Sequence, residues 1–198
     1  MMYSHTFLTK EELEHILQYK IDPLELNRII SAYDMADWAY GDKKTLDGSM
    51  YFFHVTRVCK ILINELNIYD PEMLISALLH DVYQKIEEIT PEIIIYNFGP
   101  YIAYLMEILK HDLKYIKSKP FTFGENEVVR IPVDDYLILW LSEHLDNFRC
   151  LEITPNFSPV NYILNITQTL IAQSKNSDNV AIKYLITELK KERNKILG

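Results

Sequence analysis

The chain has 198 residues and a net charge of −8, and only five of its residues are glycine. Gly41, Gly48, Gly99, Gly124 and Gly198 stand too far apart for a G-x-G-x-x-G or G-x-x-x-x-G-K phosphate cradle, and they are too few for the tight turns of a β sandwich or barrel. An acidic chain is not expected to bind nucleic acid broadly, no apolar run reaches the ~18 residues of a membrane span, and two cysteines (Cys59, Cys150) predict reduced thiols rather than a disulfide framework.

Helical periodicity dominates from the N-terminus onward. Residues 1–10 lack the layout of a signal peptide, so a cytoplasmic protein is expected. Thr9, followed by Glu11 and Glu12, predicts an N-cap and a helix to about residue 19. Asp22-Pro23 opens a second helix to about residue 40, burying Leu26, Ile29, Ile30, Tyr33, Ala36 and Ala39. A polar loop over 41–49 leads to a third helix over 51–66, with Val55, Val58, Leu62 and Leu66 on one stripe. Asp70-Pro71 repeats the start signal, and the fourth helix runs through Leu74, Ala77 and Leu78 to His80-Asp81. Thr90-Pro91-Glu92 begins a fifth, and Gly99-Pro100 interrupts it before a helical stretch over 101–109.

Residues 114–132 lack helical period and carry Lys114, Lys117, Lys119, Pro120, Gly124 and Arg130, which predicts a surface loop. The apolar pattern of Tyr136, Leu137, Leu139, Trp140, Leu141 and Leu145 predicts a helix over 133–151. Ser158-Pro159 and Asp178 start two more, the last ending in a charged stretch over 190–195. The simplest account is one all-α domain: an N-terminal helix in 1–22, a core over about 23–152 and C-terminal helices in 153–198. Fourteen tyrosines are compatible with a homodimer surface and equally with core packing.

Two histidines are informative. His5 and His15 lie in polar surroundings and are expected to be exposed, whereas His54 opens an amphipathic helix and His80-Asp81 follows the apolar run Leu74-Ile75-Ser76-Ala77-Leu78-Leu79. A buried Asp beside a buried His requires partners. A divalent metal satisfies both, and so does a pair hydrogen-bonded to each other or to backbone. The segment 141–149 adds Glu143, Asp146 and Asn147 at i, i+3 and i+4, on one helix face. If that face meets His54 and His80-Asp81, a site of two histidines and two carboxylates results.

Four collinear segments resemble the HD superfamily of metal-dependent phosphohydrolases, and within it the RelA/SpoT-type ppGpp hydrolase domain. The pattern A-[HY]-x-G-Q-x-R-x-S-G-x-x-Y-x-x-H-P is kept in spacing from Ala39 to His54, with Gly48, Tyr51 and His54 in place. A-A-L-L-H-D-V-x-E-D is similar to Ser76-Ala77-Leu78-Leu79-His80-Asp81-Val82-Tyr83-Gln84-Lys85, and T-x-E-x-I-x-x-x-F-G to the stretch from Thr90 to Gly99. L-A-D-x-L-x-N-x-R is similar to Leu141-Ser142-Glu143-His144-Leu145-Asp146-Asn147-Phe148-Arg149.

The resemblance implies an HD-domain helical bundle that binds a divalent metal, Mn(II), through His54, His80, Asp81 and Glu143. The implied substrate is a small-molecule nucleotide, cleaved at a phosphate or pyrophosphate as in ppGpp hydrolysis. The catalytic Glu-Asp pair of the family falls on Gln84 and Lys85, and Gln cannot act as a general base. Glu87 or Glu88, a turn further on, is a candidate substitute. The substrate-recognition positions fall on Thr45, Leu46, Asp47, Tyr51 and Asn147, with Arg149 supporting the ligand site and Trp140 in place of a basic residue. These departures keep a second expectation open: a degenerate HD protein that binds a nucleotide or a protein partner without hydrolysing the alarmone.

Overall fold

The computed structural model describes residues 3–45, 48–111, 121–122, 128–130, 133–150 and 159–197. After a short 3-10 turn (Tyr3–His5) come α1 (Lys10–Leu17), α2 (Pro23–Tyr40), α3 (Tyr51–Asn64), α4 (Pro71–Leu79), α5 (Val82–Lys85), α6 (Pro91–Phe98) and α7 (Pro100–Ile108). Two short strands, β1 (Phe121–Thr122) and β2 (Val128–Arg130), pair antiparallel, and α8 (Val133–Cys150), α9 (Pro159–Ser174) and α10 (Val180–Leu197) complete the chain.

Local chemistry sets most helix starts. Thr9 Oγ1 accepts from Glu12 N at 3.2 Å while Glu12 returns a carboxylate oxygen to Thr9 N at 3.0 Å, so the start of α1 is a closed capping box. Asp22 caps α2 by accepting from Leu24 N at 2.8 Å, and Asp70 caps α4 by accepting from Met73 N at 3.1 Å. In both, proline fills the first helical position, where its missing N–H costs nothing. The break between α6 and α7 sits on Gly99, whose φ of 98° favours glycine. Arg28 secures the end of α6 by donating from Nη2 to the Phe98 carbonyl at 2.6 Å.

Some boundaries differ from the sequence reading. Helix α1 ends at Leu17 rather than near residue 19. Helix α3 ends at Asn64, and Asn67, in the left-handed region at φ 54°, turns the chain before Ile68. Asn179, not Asp178, caps α10, accepting from Ala181 N at 2.9 Å. The expected loop over 114–132 contains the β1–β2 pair; its other residues, and Ser158, lie outside the described residues.

Helix α4 is the centre of the bundle. Every residue from Met73 to Leu79 is buried, as an apolar helix surrounded on all sides requires. It packs against α2, α3, α7 and α8, while α8 also carries α9 and α10. Burying each leucine-sized side chain contributes roughly 1.5–3 kcal/mol. Leu74, Leu78 and Leu79 have no exposed surface, and neither do Val55, Leu141 and Leu145 from the facing helices. The polar face of α8 and the C-terminal end of α4 thereby meet the first turn of α3. No helix among the described residues is long and apolar enough to cross a membrane.

Candidate metal centre

His54 sits in the first turn of α3 and His80 caps the end of α4; both are buried, and their rings meet edge to face with centroids 5.3 Å apart. Each ring is held by one nitrogen. His54 Nδ1 donates to Asp146 Oδ2 at 2.7 Å, and His80 Nδ1 donates to the Ala77 carbonyl at 2.8 Å. An acceptor on Nδ1 leaves Nε2 as the lone-pair nitrogen of the neutral imidazole. His80 Nε2 is buried and has no hydrogen-bond partner, and burial holds the His80 pKa below the ordinary histidine value.

Glu143 of α8 completes a triplet: one ligand atom from each of His54, His80 and Glu143 lies within 4.8 Å of the others. This is the environment a divalent cation fits, because it would accept the orphaned lone pair of His80 and bring a carboxylate into the same coordination sphere. Imidazole nitrogen and carboxylate oxygen together form a donor set that divalent metal ions accept.

Asp81 stands beside this triplet with its oxygens engaged. One accepts from the Tyr51 hydroxyl and the other from Gln84 Nε2 at 3.0 Å. Burial opposes its charge, but the neighbouring His80, the Tyr51 bond and, behind them, His54 and the Lys85 ammonium hold its carboxyl below the usual range. Glu143 goes the other way: burial and the Asp81 charge push its pKa well up, against a smaller opposing effect of Asn147.

The other residues singled out in the sequence are distributed as follows. Tyr51 serves Asp81, and its ring lies 4.7 Å from the Lys85 ammonium. Thr45 Oγ1 bonds the Ser49 hydroxyl at 2.8 Å and its carbonyl at 3.1 Å, closing the loop that leads into α3; Leu46 and Asp47 lie outside the described residues. Glu87 and Glu88 are exposed in the turn after α5. Asn147 stands beside Glu143. Arg149 is directed to structure rather than to a ligand, donating to both oxygens of Glu65 at 2.6 and 3.0 Å. Trp140 packs its ring against Tyr136 and His144.

The sequence reading missed Arg57 and Tyr3, and it named Asp146 only as part of a polar face. Arg57 is 2% exposed and Asp146 0%, yet both are fully satisfied. Arg57 donates to both Asp146 oxygens at 2.8 and 3.0 Å, to the Ser4 and Thr6 carbonyls at 2.8 and 3.0 Å and to Cys150 Sγ at 3.2 Å. The Tyr3 hydroxyl adds a bond to Asp146 Oδ1 at 2.9 Å. An arginine between Val55 and Val58 on a buried helix face was the available signal.

No protein-family model and no curated protein matches the chain. Among solved structures, a metazoan ortholog of SpoT, described as hydrolysing ppGpp and playing a role in starvation responses, is similar with a TM-score of 0.59 and 21% identity. The match covers 84% of this chain and 95% of that one. At that identity the likeness speaks for the fold alone: the chain is an all-α helical bundle that shares the fold of that protein.

Proposed function

We propose that the chain is a metal-dependent phosphohydrolase that cleaves a phosphate or pyrophosphate from a nucleotide, with a ppGpp-like molecule as the first substrate to test. The single observation that carries this is the buried, unpartnered Nε2 of His80, grouped with His54 and Glu143 within 4.8 Å. His54, His80 and Glu143 would hold the ion, Mn(II) in this reading, with Asp81 as the neighbouring carboxylate. When bound, such an ion lowers the pKa of a coordinated water and polarises a phosphoryl oxygen. The residues contribute fixed geometry: Nδ1 of each histidine is anchored, and Asp81 is oriented by Tyr51 and Gln84. The Lys85 ammonium, over the Tyr51 ring beside Asp81, supplies a cation for a phosphate oxygen.

Gln84 favours a second reading, in which the site binds a nucleotide without turning it over. Its amide donates to Asp81 where a general base is required by the resemblance, and Glu87 and Glu88 are the remaining carboxylates of that segment. Incubation with Mn(II) and ppGpp, followed by pyrophosphate release and metal analysis, separates the two. Metal-dependent release that is lost in His80→Ala supports hydrolysis. Absence of bound metal overturns the enzyme reading. Bound metal with intact ppGpp and cleavage of another nucleotide moves the substrate assignment only. Release that survives both Glu87→Gln and Glu88→Gln eliminates those residues as the base.

A further inference from the structure

The densest polar constellation in the core lies one layer behind the proposed ligands. The Asp146 carboxylate has no exposed surface and accepts four bonds within 3.0 Å: Tyr3 Oη and Arg57 Nε on Oδ1, His54 Nδ1 and Arg57 Nη2 on Oδ2. Arg57 in turn binds the Ser4 and Thr6 carbonyls, so it ties the segment ahead of α1 to the same carboxylate. The Leu8 amide continues this attachment, donating to Thr56 Oγ1 at 3.3 Å, and the Tyr33 hydroxyl donates to the Leu8 carbonyl at 3.0 Å. The motif resemblance leaves the position of Asp146 open, so this arrangement belongs to the residues of this chain.

We propose that Asp146 is a positioning residue for the metal centre, and that Arg57 and the docked segment from Tyr3 to Leu8 hold it in place. The inference rests on the metal-dependent reading above. A carboxylate on Nδ1 would hold His54 in one tautomer and one ring orientation, leaving Nε2 as the lone-pair nitrogen that could serve an ion. Asp146 does not touch the ion or the substrate; it acts through His54. Arg57 prevents the carboxylate from rotating away, because its guanidinium engages both oxygens in a planar fork. Tyr3 adds a third restraint that exists only while the N-terminal segment is docked.

Three measurements test this on the full chain. Mn(II) affinity, read from the electron paramagnetic resonance of free Mn(II), is expected to fall about 10–100-fold in Asp146→Asn. Tyr3→Phe keeps the Arg57–Asp146 pair and the fold, and is expected to weaken Mn(II) binding about threefold, in the direction set by outer-shell partners. Long-range ¹H–¹⁵N spectra of the metal-free protein are expected to show His54 protonated on Nδ1, with that preference eroded in the variants. Folded Asp146→Asn that binds Mn(II) as tightly as the unaltered protein overturns the proposal. If Asp146→Asn does not fold, Tyr3→Phe and the spectra decide. A His54 protonated on Nε2 in the unaltered protein overturns the positioning role whatever the affinities. An unaltered protein that binds no Mn(II) overturns the phosphohydrolase reading instead, and the tautomer measurement then judges Asp146 alone.

Discussion

Replacing Arg57 by methionine is the sharpest probe of how this core is held. Arg57 is 2% exposed, and its donors are spent on Asp146, on the Ser4 and Thr6 carbonyls and on Cys150. Methionine fills most of the volume but donates nothing. Asp146, with no exposed surface, would retain the Tyr3 and His54 bonds and a weak one from Cys150 Sγ at 3.9 Å, and two carbonyls of the N-terminal segment would lose a partner. Removing one member of a buried pair in this way costs about 3–5 kcal/mol. In a chain of this size each kcal/mol moves the melting temperature by roughly 2–4 °C, so a fall of about 6–20 °C is expected by circular dichroism. The double variant Arg57→Met, Asp146→Leu removes both charges and should recover most of that loss, since a buried ion pair is replaceable by apolar packing. It should not recover Mn(II) binding, because His54 Nδ1 then lacks its acceptor. A single Arg57→Met variant within about 1 kcal/mol of the unaltered protein would refute the reasoning, as that is the scale of an ordinary surface change.

Other outcomes follow from the same geometry. Mn(II) at a hundredfold excess over its dissociation constant should stabilise the chain by about 2.7 kcal/mol in a thermal-shift assay, and His80→Ala should abolish the shift. Leu78→Ala, at a position with no exposed surface in the central helix, should cost about 2–5 kcal/mol in urea unfolding. Burial works against the charge of Glu65, but bonds from Arg149 and Tyr184 outweigh it and lower its pKa below 4.5. The unfolded chain therefore binds this proton more readily, so the stability Glu65 contributes is present above about pH 4.5 and is lost as pH falls through its folded value. Glu65→Gln should flatten the stability profile in that acid window, and an unchanged slope would count against the ion pair. Gln84→Glu places a second carboxylate against Asp81 and supplies a base; nucleotide turnover should rise about a hundredfold, at the low end of general-base contributions.

The fold was legible because its signals are local. Asp-Pro at positions 22–23 and 70–71 marks helix starts through a side-chain acceptor and a residue that needs no N–H donor, and Gly99 marks a break that requires positive φ. The end of α3 was not legible in the same way, because its stop is an asparagine in a left-handed turn, Asn67, which sequence pattern does not separate from a helical one. The histidines and Glu143 were legible as polar groups in apolar helices. The role of Asp146 was not, because its partners lie 89, 92 and 143 residues away in sequence, and their convergence is a property of packing. Arg149 shows the reverse case: its motif position suggests a ligand contact, and tertiary structure directs it to Glu65.

Three carboxyl groups meet in this part of the bundle, and each is balanced by different means. Asp146 is neutralised by Arg57 in a pair sealed from solvent. Asp81 accepts from Tyr51 and Gln84, and the neighbouring His80, the Tyr51 bond and, more weakly, His54 and Lys85 favour its charged form. Glu143 is opposed by its own burial and by the Asp81 charge, which push its pKa up, and Asn147 and Lys85 offset this only in part. Glu143 therefore stands in the ligand triplet with Asp81 beside it, while Asp146 is already held by four donors. This division explains why Asp146, on the same helix face as Glu143 and three residues away, is not an alternative ligand. It also locates the chemical difference from the resembled pattern at α5, where Gln84 and Lys85 bring a donor and a cation to the site in place of two acids.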